Sequence, residues 1–125
     1  MVVEKNSGQI ICTAHSEGRK HDFKLYKESI GCAILDKIKA KLDSGYQGVL
    51  KFHKNSEIPK KKPKDGELTA DEKGYNKLLS TERILVENII AKVKVFKITS
   101  NKYRNRRKRF GLRMSLICGI INYEK

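Results

Sequence analysis

The sequence predicts a mixed α/β domain whose elements follow in the order β-hairpin, helix, strand and long helices. Apolar residues and lysines alternate through Lys37–Leu42, which is the two-residue period of a strand. Further along, apolar residues recur at i, i+4, i+8 and i+11, the pattern of one helix face. These residues are Leu85, Ile89, Val93 and Phe96. A chain of 125 residues is long enough for one domain with a modest core.

The amino-terminal residues predict the hairpin and the first helix. Two β-prone runs, Val2–Val3 and Gln9–Ala14, flank the turn-forming residues Lys5–Gly8. After a polar loop, Asp22 is expected to cap a short helix that ends at Gly31. The predicted strand Lys37–Leu42 then follows and leads directly into Asp43.

The middle of the chain predicts a brief strand at Val49–His53 and a polar loop at Asn55–Gly66. Lysines dominate this loop. They are Lys60, Lys61, Lys62 and Lys64. A run of this kind forms either a solvated loop or a surface that contacts phosphates, and the sequence leaves both interpretations open.

The carboxy-terminal half predicts helices. Thr69 and Glu72 have the spacing of a capping box, which should open a helical region that reaches about Phe96 and bends near Leu79–Thr81. A connector at Ile98–Asn101 separates it from the last segment. That segment predicts a helix with a cationic first half and a buried, apolar second half.

Charge is the sharpest compositional signal. The chain has 28 Lys+Arg against 14 Asp+Glu, a formal net charge of +14, and such a basic domain usually contacts nucleic acid. No apolar run approaches the ~18 residues of a spanning helix, and the amino terminus lacks a signal-peptide pattern. Cys12, Cys32 and Cys118 are widely spaced, which argues against a disulfide framework or zinc site. We therefore expect a cytoplasmic protein.

Two carboxylates are candidates for chemistry. Asp43 follows a predicted strand and precedes a glycine-flanked turn, a position where open α/β folds place working groups. Glu87 lies on the polar side of the predicted helix. On a basic domain this pair suggests a Mg²⁺ site for phosphodiester chemistry. The structural alternatives are a turn cap at Asp43 and an i,i+4 ion pair between Arg83 and Glu87.

Linked sequence blocks resemble the carboxy-terminal part of DDE-superfamily insertion-sequence transposases of the Harbinger-like group. The blocks are His21-Asp22-Phe23, Asp43-Ser44-Gly45-Tyr46-Gln47-Gly48, Leu68-Thr69 with Glu72-Lys73 and Asn76, Arg83-Ile84-Leu85-Val86-Glu87-Asn88, and Lys94-Val95-Phe96. Residues 103–122 also resemble the end of bacterial members. The blocks occur in the family's order and extend over nearly the whole chain, and together they are more specific than any one of them.

The resemblance implies that residues 1–125 are the carboxy-terminal portion of a catalytic domain with an RNase H-like fold. It implies three acidic ligands for Mg²⁺ or Mn²⁺, of which Asp43 matches the second and Glu87 the third. His21, Asp22 and Arg83 match motif positions and are expected to play supporting roles. The family's first Asp lies on a central first strand that has no counterpart in these residues. The expected fold is therefore an incomplete, amino-terminally truncated one.

The resemblance further implies DNA as the partner, association with other transposase copies, and neither a membrane nor a small-molecule substrate. Basic residues are the expected DNA contacts. They are Lys60, Lys61, Lys62, Lys64, Arg104, Arg106, Arg107, Lys108 and Arg109. The fragment is expected to be inactive alone and nucleoid-associated when bound to DNA. The alternatives are a small basic nucleic-acid-binding protein without chemistry, and a fragment that modulates an intact transposase.

Overall fold

The structure is a computed structural model that describes residues 1–16, 18, 20–31, 33–101 and 109–124. Cys32, Arg104, Arg106, Arg107 and Lys108 lie outside these described residues. The chain forms two compact units, one of Met1–His15 with Arg83–Lys125 and one of Ser16–Glu82. We call them the terminal unit and the central unit.

The terminal unit begins with the predicted hairpin. Strand β1 (Val2–Val3) pairs antiparallel with β2 (Ile10–Cys12), with Val2 opposite Cys12. The turn is closed by a hydrogen bond from the Gly8 amide to the Glu4 carbonyl at 2.9 Å. Gly8 has φ 66°, a left-handed conformation that suits glycine because it lacks a Cβ atom. The hairpin prediction is confirmed.

Among the residues that the structure describes, three helices follow the strands of the central unit. Helix α2 (Ala70–Val95) belongs to both units, and α3 (Lys97–Ser100) and α4 (Phe110–Tyr123) belong to the terminal unit. The predicted connector at Ile98–Asn101 therefore includes a short helix. No helix in the described part of the chain is long and apolar enough to cross a membrane.

Strand β2 and helices α2 and α4 supply the core of the terminal unit. Its buried members are Ile10, Ile89, Val93, Ile117, Cys118 and Ile121. The predicted apolar face of α2 is thus confirmed at its centre, whereas Leu85 is 37% exposed. On α4 the prediction of burial fails for Leu112 and Leu116, which are 73% and 65% exposed, because the core contacts the opposite side of that helix.

A side-chain amide on α4 completes the hydrogen bonding of β2. The Ile10 amide donates to Oδ1 of Asn122 at 2.9 Å, and Nδ2 of Asn122 donates to the Ile10 carbonyl at 2.9 Å. One asparagine side chain thus satisfies both backbone groups of a buried residue, as a neighbouring strand would. This contact ties residues that are 112 positions apart.

The central unit opens with helix α1 (Asp22–Glu28). The cap differs from the expected one by a residue: His21 is the N-cap, and its Nδ1 accepts a hydrogen bond from the Phe23 amide at 3.3 Å. Asp22 instead occupies the first turn, where a carboxylate interacts favourably with the helix dipole. The helix also ends earlier than Gly31, whose amide donates to the Tyr26 carbonyl at 2.7 Å.

The expected strand at Lys37–Leu42 exists but is short. Strand β3 (Ala40–Lys41) pairs in parallel with β4 (Ser56–Glu57), a strand that lies in the predicted loop. The prediction of a strand at Val49–His53 is wrong, because Val49–Lys51 form a turn of 3-10 helix. Gly48 precedes this turn at φ 89° and directs the chain out of an extended path.

Two fully buried side chains, Val49 and His53, anchor the 3-10 turn in the central unit. The His53 imidazole contacts the Ser56 hydroxyl through Nδ1 at 2.8 Å and the Leu35 carbonyl through Nε2 at 3.1 Å. Since a carbonyl oxygen can only accept, Nε2 carries the proton. Both ring nitrogens are therefore satisfied although the side chain is excluded from water.

The capping box that opens α2 is confirmed. The Thr69 amide donates to the Glu72 carboxylate at 3.1 Å, and the Glu72 amide donates to the Thr69 hydroxyl at 3.2 Å. The helix then continues without a break for 26 residues. The Thr81 hydroxyl donates to the Lys77 carbonyl at 3.0 Å, near the place where a bend was expected.

Candidate metal centre and nucleic-acid surface

Asp43 lies two residues after β3 and caps a second turn of 3-10 helix, Ser44–Tyr46. Its Oδ1 accepts hydrogen bonds from the Ser44 amide at 2.6 Å and the Ser44 hydroxyl at 3.2 Å. Asp43 therefore caps this turn, which is the structural role that the sequence offers as the alternative to metal binding. The side chain is exposed, and capping fixes the position of the carboxylate relative to the backbone.

Aromatic rings hold the turn that Asp43 caps. The Tyr46 ring makes edge contacts with Phe23 and Tyr26 of α1, with centroid separations of 6.0 and 5.6 Å. Burial raises the pKa of Tyr46 above its ordinary value, and the negative charges of Asp22 and Asp43 raise it further. Both carboxylates are near enough to Tyr46 for their charges to raise the pKa of its hydroxyl. Asp22, in the His21-Asp22 motif, therefore lies near the turn that Asp43 caps.

Glu87 lies on the exposed side of α2, as predicted. Its carboxylate pairs with Arg83 one turn earlier, at 3.5 Å, and the two side chains are 63% and 41% exposed. An exposed i,i+4 pair of this kind contributes only about 0.2–0.5 kcal/mol, so this contact adds little to stability. The ion pair between Arg83 and Glu87, which the sequence offers as the structural alternative to a metal-binding role, is thus present.

The donor chemistry of Asp43 and Glu87 fits a hard divalent cation. Both are exposed carboxylates on defined backbone positions, and Mg²⁺ prefers oxygen ligands and often takes only one or two carboxylates from a protein. Asp43 belongs to the central unit and Glu87 to the terminal unit. Within the described residues, no group of three or more His, Cys, Asp and Glu side chains forms a metal-binding cluster.

The lysine-rich loop is attached to α2 by one asparagine. The Lys60 amide donates to Oδ1 of Asn76 at 2.8 Å, and Nδ2 of Asn76 donates to the Lys60 carbonyl at 2.9 Å. The four lysines of the loop, Lys60, Lys61, Lys62 and Lys64, are exposed. Asn76 thus fixes the start of the cationic run, a role that residue type and spacing do not reveal. Arg109, at the start of α4, is also exposed.

Lys39 and Lys41, immediately before and within β3, have a different role from the lysines of the loop. Glu57 on the paired strand contacts Lys39 at 2.7 Å and Lys41 at 3.5 Å, and Lys41 also pairs with Glu82. The hydrogen bond to Glu82 raises the pKa of Lys41, and the hydrogen bond from Lys39 lowers that of Glu57. Acidic partners therefore offset the charges of Lys39 and Lys41 at the surface of the unit, where the side chains of these lysines are 56% and 26% exposed.

An exposed aromatic ring lies at the edge of the same unit and was not predicted as a functional residue. Phe52 is 58% exposed, and its ring contacts the edge of Phe23 with a centroid separation of 6.1 Å. The Lys27 ammonium lies over both rings, 4.9 Å from the centroid of Phe23 and 5.5 Å from that of Phe52. The sequence signal was a lone aromatic between Lys51 and His53, which is compatible with an ordinary core residue.

Comparisons with known proteins agree with the sequence resemblance. Residues 1–122 match the family described as DDE superfamily endonuclease. The chain is 49% identical over 124 residues to a protein from Microchaete diplosiphon described as "Probable transposase for insertion sequence element IS702". That match covers 99% of this chain but 45% of the relative, so the chain spans less than half of the relative's length. No solved structure matches the chain significantly. With a family match over nearly its whole length, the chain belongs to the DDE superfamily endonucleases.

Proposed function

We propose that this chain contributes two of three acidic metal ligands to a transposase that cuts and joins DNA. Asp43 and Glu87 are the proposed ligands, and Mg²⁺ or Mn²⁺ is the proposed cofactor. The observation that carries the proposal is the match of residues 1–122 to the DDE endonuclease family, in which both carboxylates fall within the matched segment. The exposed, backbone-fixed carboxylate of Asp43 supports the assignment.

The metal, when bound, would activate the attacking water or hydroxyl and stabilise the leaving oxygen of the phosphodiester. The residues of the chain would hold and orient it. Asp43 offers a carboxylate whose direction is set by its bond to the Ser44 amide, and Glu87 offers one that the helix and Arg83 restrain. Asp22, in the first turn of α1, adds negative charge around the Tyr46 phenol and thereby supports cation binding in the surroundings of Asp43.

We further propose that the 125-residue chain does not cut DNA by itself. It provides matches for two of the three acidic residues that the family resemblance implies, and two carboxylates alone would bind the metal less tightly and position it less well. The expected result is no nicking or strand transfer by the purified chain in Mg²⁺ or Mn²⁺. Robust metal-dependent cleavage that Asp43→Ala abolishes would contradict this proposal.

The DNA contacts proposed for this function are the lysines of the loop and the basic segment that ends at Arg109. Each phosphate contact on duplex DNA should make the slope of log affinity against log salt more negative by about 0.9. Neutralising Arg104, Arg106, Arg107 and Arg109 together should flatten that slope. An unchanged salt dependence in this arginine variant would argue against the basic segment as a contact surface.

The net charge of +14 also favours a second candidate function, a DNA-binding protein without chemistry.

Localised backbone cleavage by bound iron tests the metal assignment. Fe²⁺ substituted for Mg²⁺ generates hydroxyl radicals in the presence of ascorbate and peroxide, and these cut the chain near the bound metal. We expect cuts around Asp43 and Glu87 that excess Mg²⁺ suppresses. Asp43→Asn and Glu87→Gln should each weaken the cuts, whereas Asp36→Asn and Glu67→Gln, which change other exposed carboxylates, should not. Cuts confined to other segments, or the same pattern in all four variants, would refute the site.

A further inference from the structure

We propose that Phe52, with Lys27 beside it, is a stacking site for an unpaired DNA base in the same unit as Asp43. This inference rests on the proposed function, because it takes DNA as the substrate. It adds that the chain binds one nucleotide outside the duplex, through its base and not only through its phosphate. Neither the family match nor the relative assigns a role to Phe52 or Lys27.

The exposed Phe52 ring lies on a well-anchored backbone. Val49, three residues before it, is 0% exposed, and His53, immediately after it, is 1% exposed and hydrogen-bonded at both ring nitrogens. The edge contact with Phe23, at an interplanar angle of 75°, fixes the ring from one side. An aromatic surface that is already ordered loses little conformational entropy when a base stacks on it.

The charges around the ring favour a nucleotide over an apolar partner. The Lys27 ammonium lies within 5.5 Å of the ring centroid, so a base stacked on Phe52 would bring its own phosphate close to a cation. Lys51 and Lys54, on either side in the sequence, are exposed. An aromatic ring combined with neighbouring cations is the combination that single-stranded nucleic acid requires, since every base has a π face and every linkage a negative charge.

Ring contacts connect Phe52 to the turn that Asp43 caps. Phe23 contacts both Phe52 and Tyr46, with centroid separations of 6.1 and 6.0 Å. Tyr46 is the last residue of the turn that Asp43 caps. A base on Phe52 would therefore be separated from the proposed metal ligand by two ring contacts within one unit. This position suits a nucleotide of the same strand that carries the phosphate undergoing reaction.

The protein contains no tryptophan, which makes a direct optical test available. Phe52→Trp introduces a single fluorophore on the proposed platform, and Leu50→Trp places one on the same turn at a residue that is 50% exposed. The probes are a 12-nucleotide oligo-dT strand and a blunt 12-base-pair duplex. We expect the single strand to quench the fluorophore at position 52 strongly, the duplex to quench it weakly, and neither to quench the one at position 50 comparably.

Binding measurements separate stacking from electrostatics. By fluorescence anisotropy with labelled oligo-dT, Phe52→Ala should weaken binding roughly 5- to 100-fold, because loss of stacking on one ring removes that much affinity. Phe52→Leu, which keeps an apolar side chain, should be nearly as weak, and Phe52→Trp should restore binding. Affinity for the duplex should change little in all three. Far-UV circular dichroism and thermal melting of each variant check that the unit is folded.

Three results would overturn the inference. They are equal quenching at positions 50 and 52, full affinity in Phe52→Leu, or a parallel loss of affinity for strand and duplex in Phe52→Ala. If the wild-type chain binds duplex DNA with the expected salt dependence while the stacking readouts fail, the base site is refuted and the proposed function stands. If the chain binds neither probe at low salt, the DNA-contact proposal itself fails.

Discussion

Replacing Asn122 with alanine should destabilise the terminal unit more than any other single change of a polar side chain on α4. The substitution removes two hydrogen bonds of 2.9 Å and leaves the amide and carbonyl of Ile10 without partners, in a residue that is 6% exposed. Each unsatisfied buried backbone group costs about 1–3 kcal/mol. Because the contact is only partly buried, water should recover some of this, and we expect a loss of about 2–4 kcal/mol.

Hydrogen exchange at the Ile10 amide measures this loss of stability at the group that loses its hydrogen-bond partner. In the limit where exchange reports the opening equilibrium, 2–4 kcal/mol corresponds to roughly 30- to 1,000-fold faster exchange. Asn76→Ala is the matched control, since Asn76 makes the same two-bond contact with Lys60 at 2.8 and 2.9 Å but in an exposed setting. Water can replace that contact, so we expect a cost of about 1 kcal/mol or less.

Asn122→Asp adds a pH test of the same contact. The new carboxylate could still accept from the Ile10 amide, but its second oxygen would face the Ile10 carbonyl and repel it. The ionised form is then disfavoured in the folded state, which raises the folded pKa of the new group above its unfolded value. The penalty should be complete above the folded pKa and should vanish below about pH 4, where the group is protonated in both states.

The reasoning is refuted by two outcomes. If Asn122→Ala and Asn76→Ala accelerate exchange equally at their respective partner amides, burial does not set the cost of the contact. If the difference in stability between Asn122→Asp and the wild type does not depend on pH, the amide donor to the Ile10 carbonyl contributes nothing.

Three further changes test other contacts. Thr69→Ala removes half of the capping box and should cost about 0.5–2 kcal/mol in urea unfolding, whereas Thr69→Ser should be nearly neutral. Lys39 holds the pKa of Glu57 below its ordinary value of 4.5, so the stability that Glu57 contributes is present above that pH and is lost as pH falls. Glu57→Gln should therefore flatten the fall of the urea midpoint during acidification; an unchanged profile would refute the ion pair's role. In Gly111→Ala the new Cβ would lie 2.8 Å from Nε2 of His15, so that exposed side chain must shift. Because it can move and alanine is the better helix former, we expect the melting temperature to stay the same or rise, and a large fall would contradict this.

Local signals in the sequence predicted the parts of the fold that depend on neighbouring residues. The capping box at Thr69 and Glu72 was predicted because its bonds join residues three apart. The hairpin was predicted because its turn lies between two β-prone runs. The exposed position of Glu87 followed from helical periodicity alone, since the angle between helix faces depends only on spacing.

Long-range contacts determined what the sequence could not show. Strand β4 is polar, and its pairing with β3 depends on ladder hydrogen bonds and on the Lys39–Glu57 ion pair, which no local pattern encodes. Asn76 and Asn122 each bind the backbone of a distant residue, 16 and 112 positions away. The metal assignment of Asp43 and Glu87 remains a prediction that rests on family resemblance and donor chemistry.

Chemical labelling of the buried Cys118 thiol can show how often the core of the terminal unit opens. Cys118 is 7% exposed among the six core residues, and burial raises the pKa of its thiol, so both access and thiolate formation oppose reaction. An alkylating reagent should modify it only during moments when α4 separates from the core. The rate of labelling at this residue therefore measures how often the core opens in an unmodified protein, and mass spectrometry can distinguish it from labelling at Cys12 and Cys32.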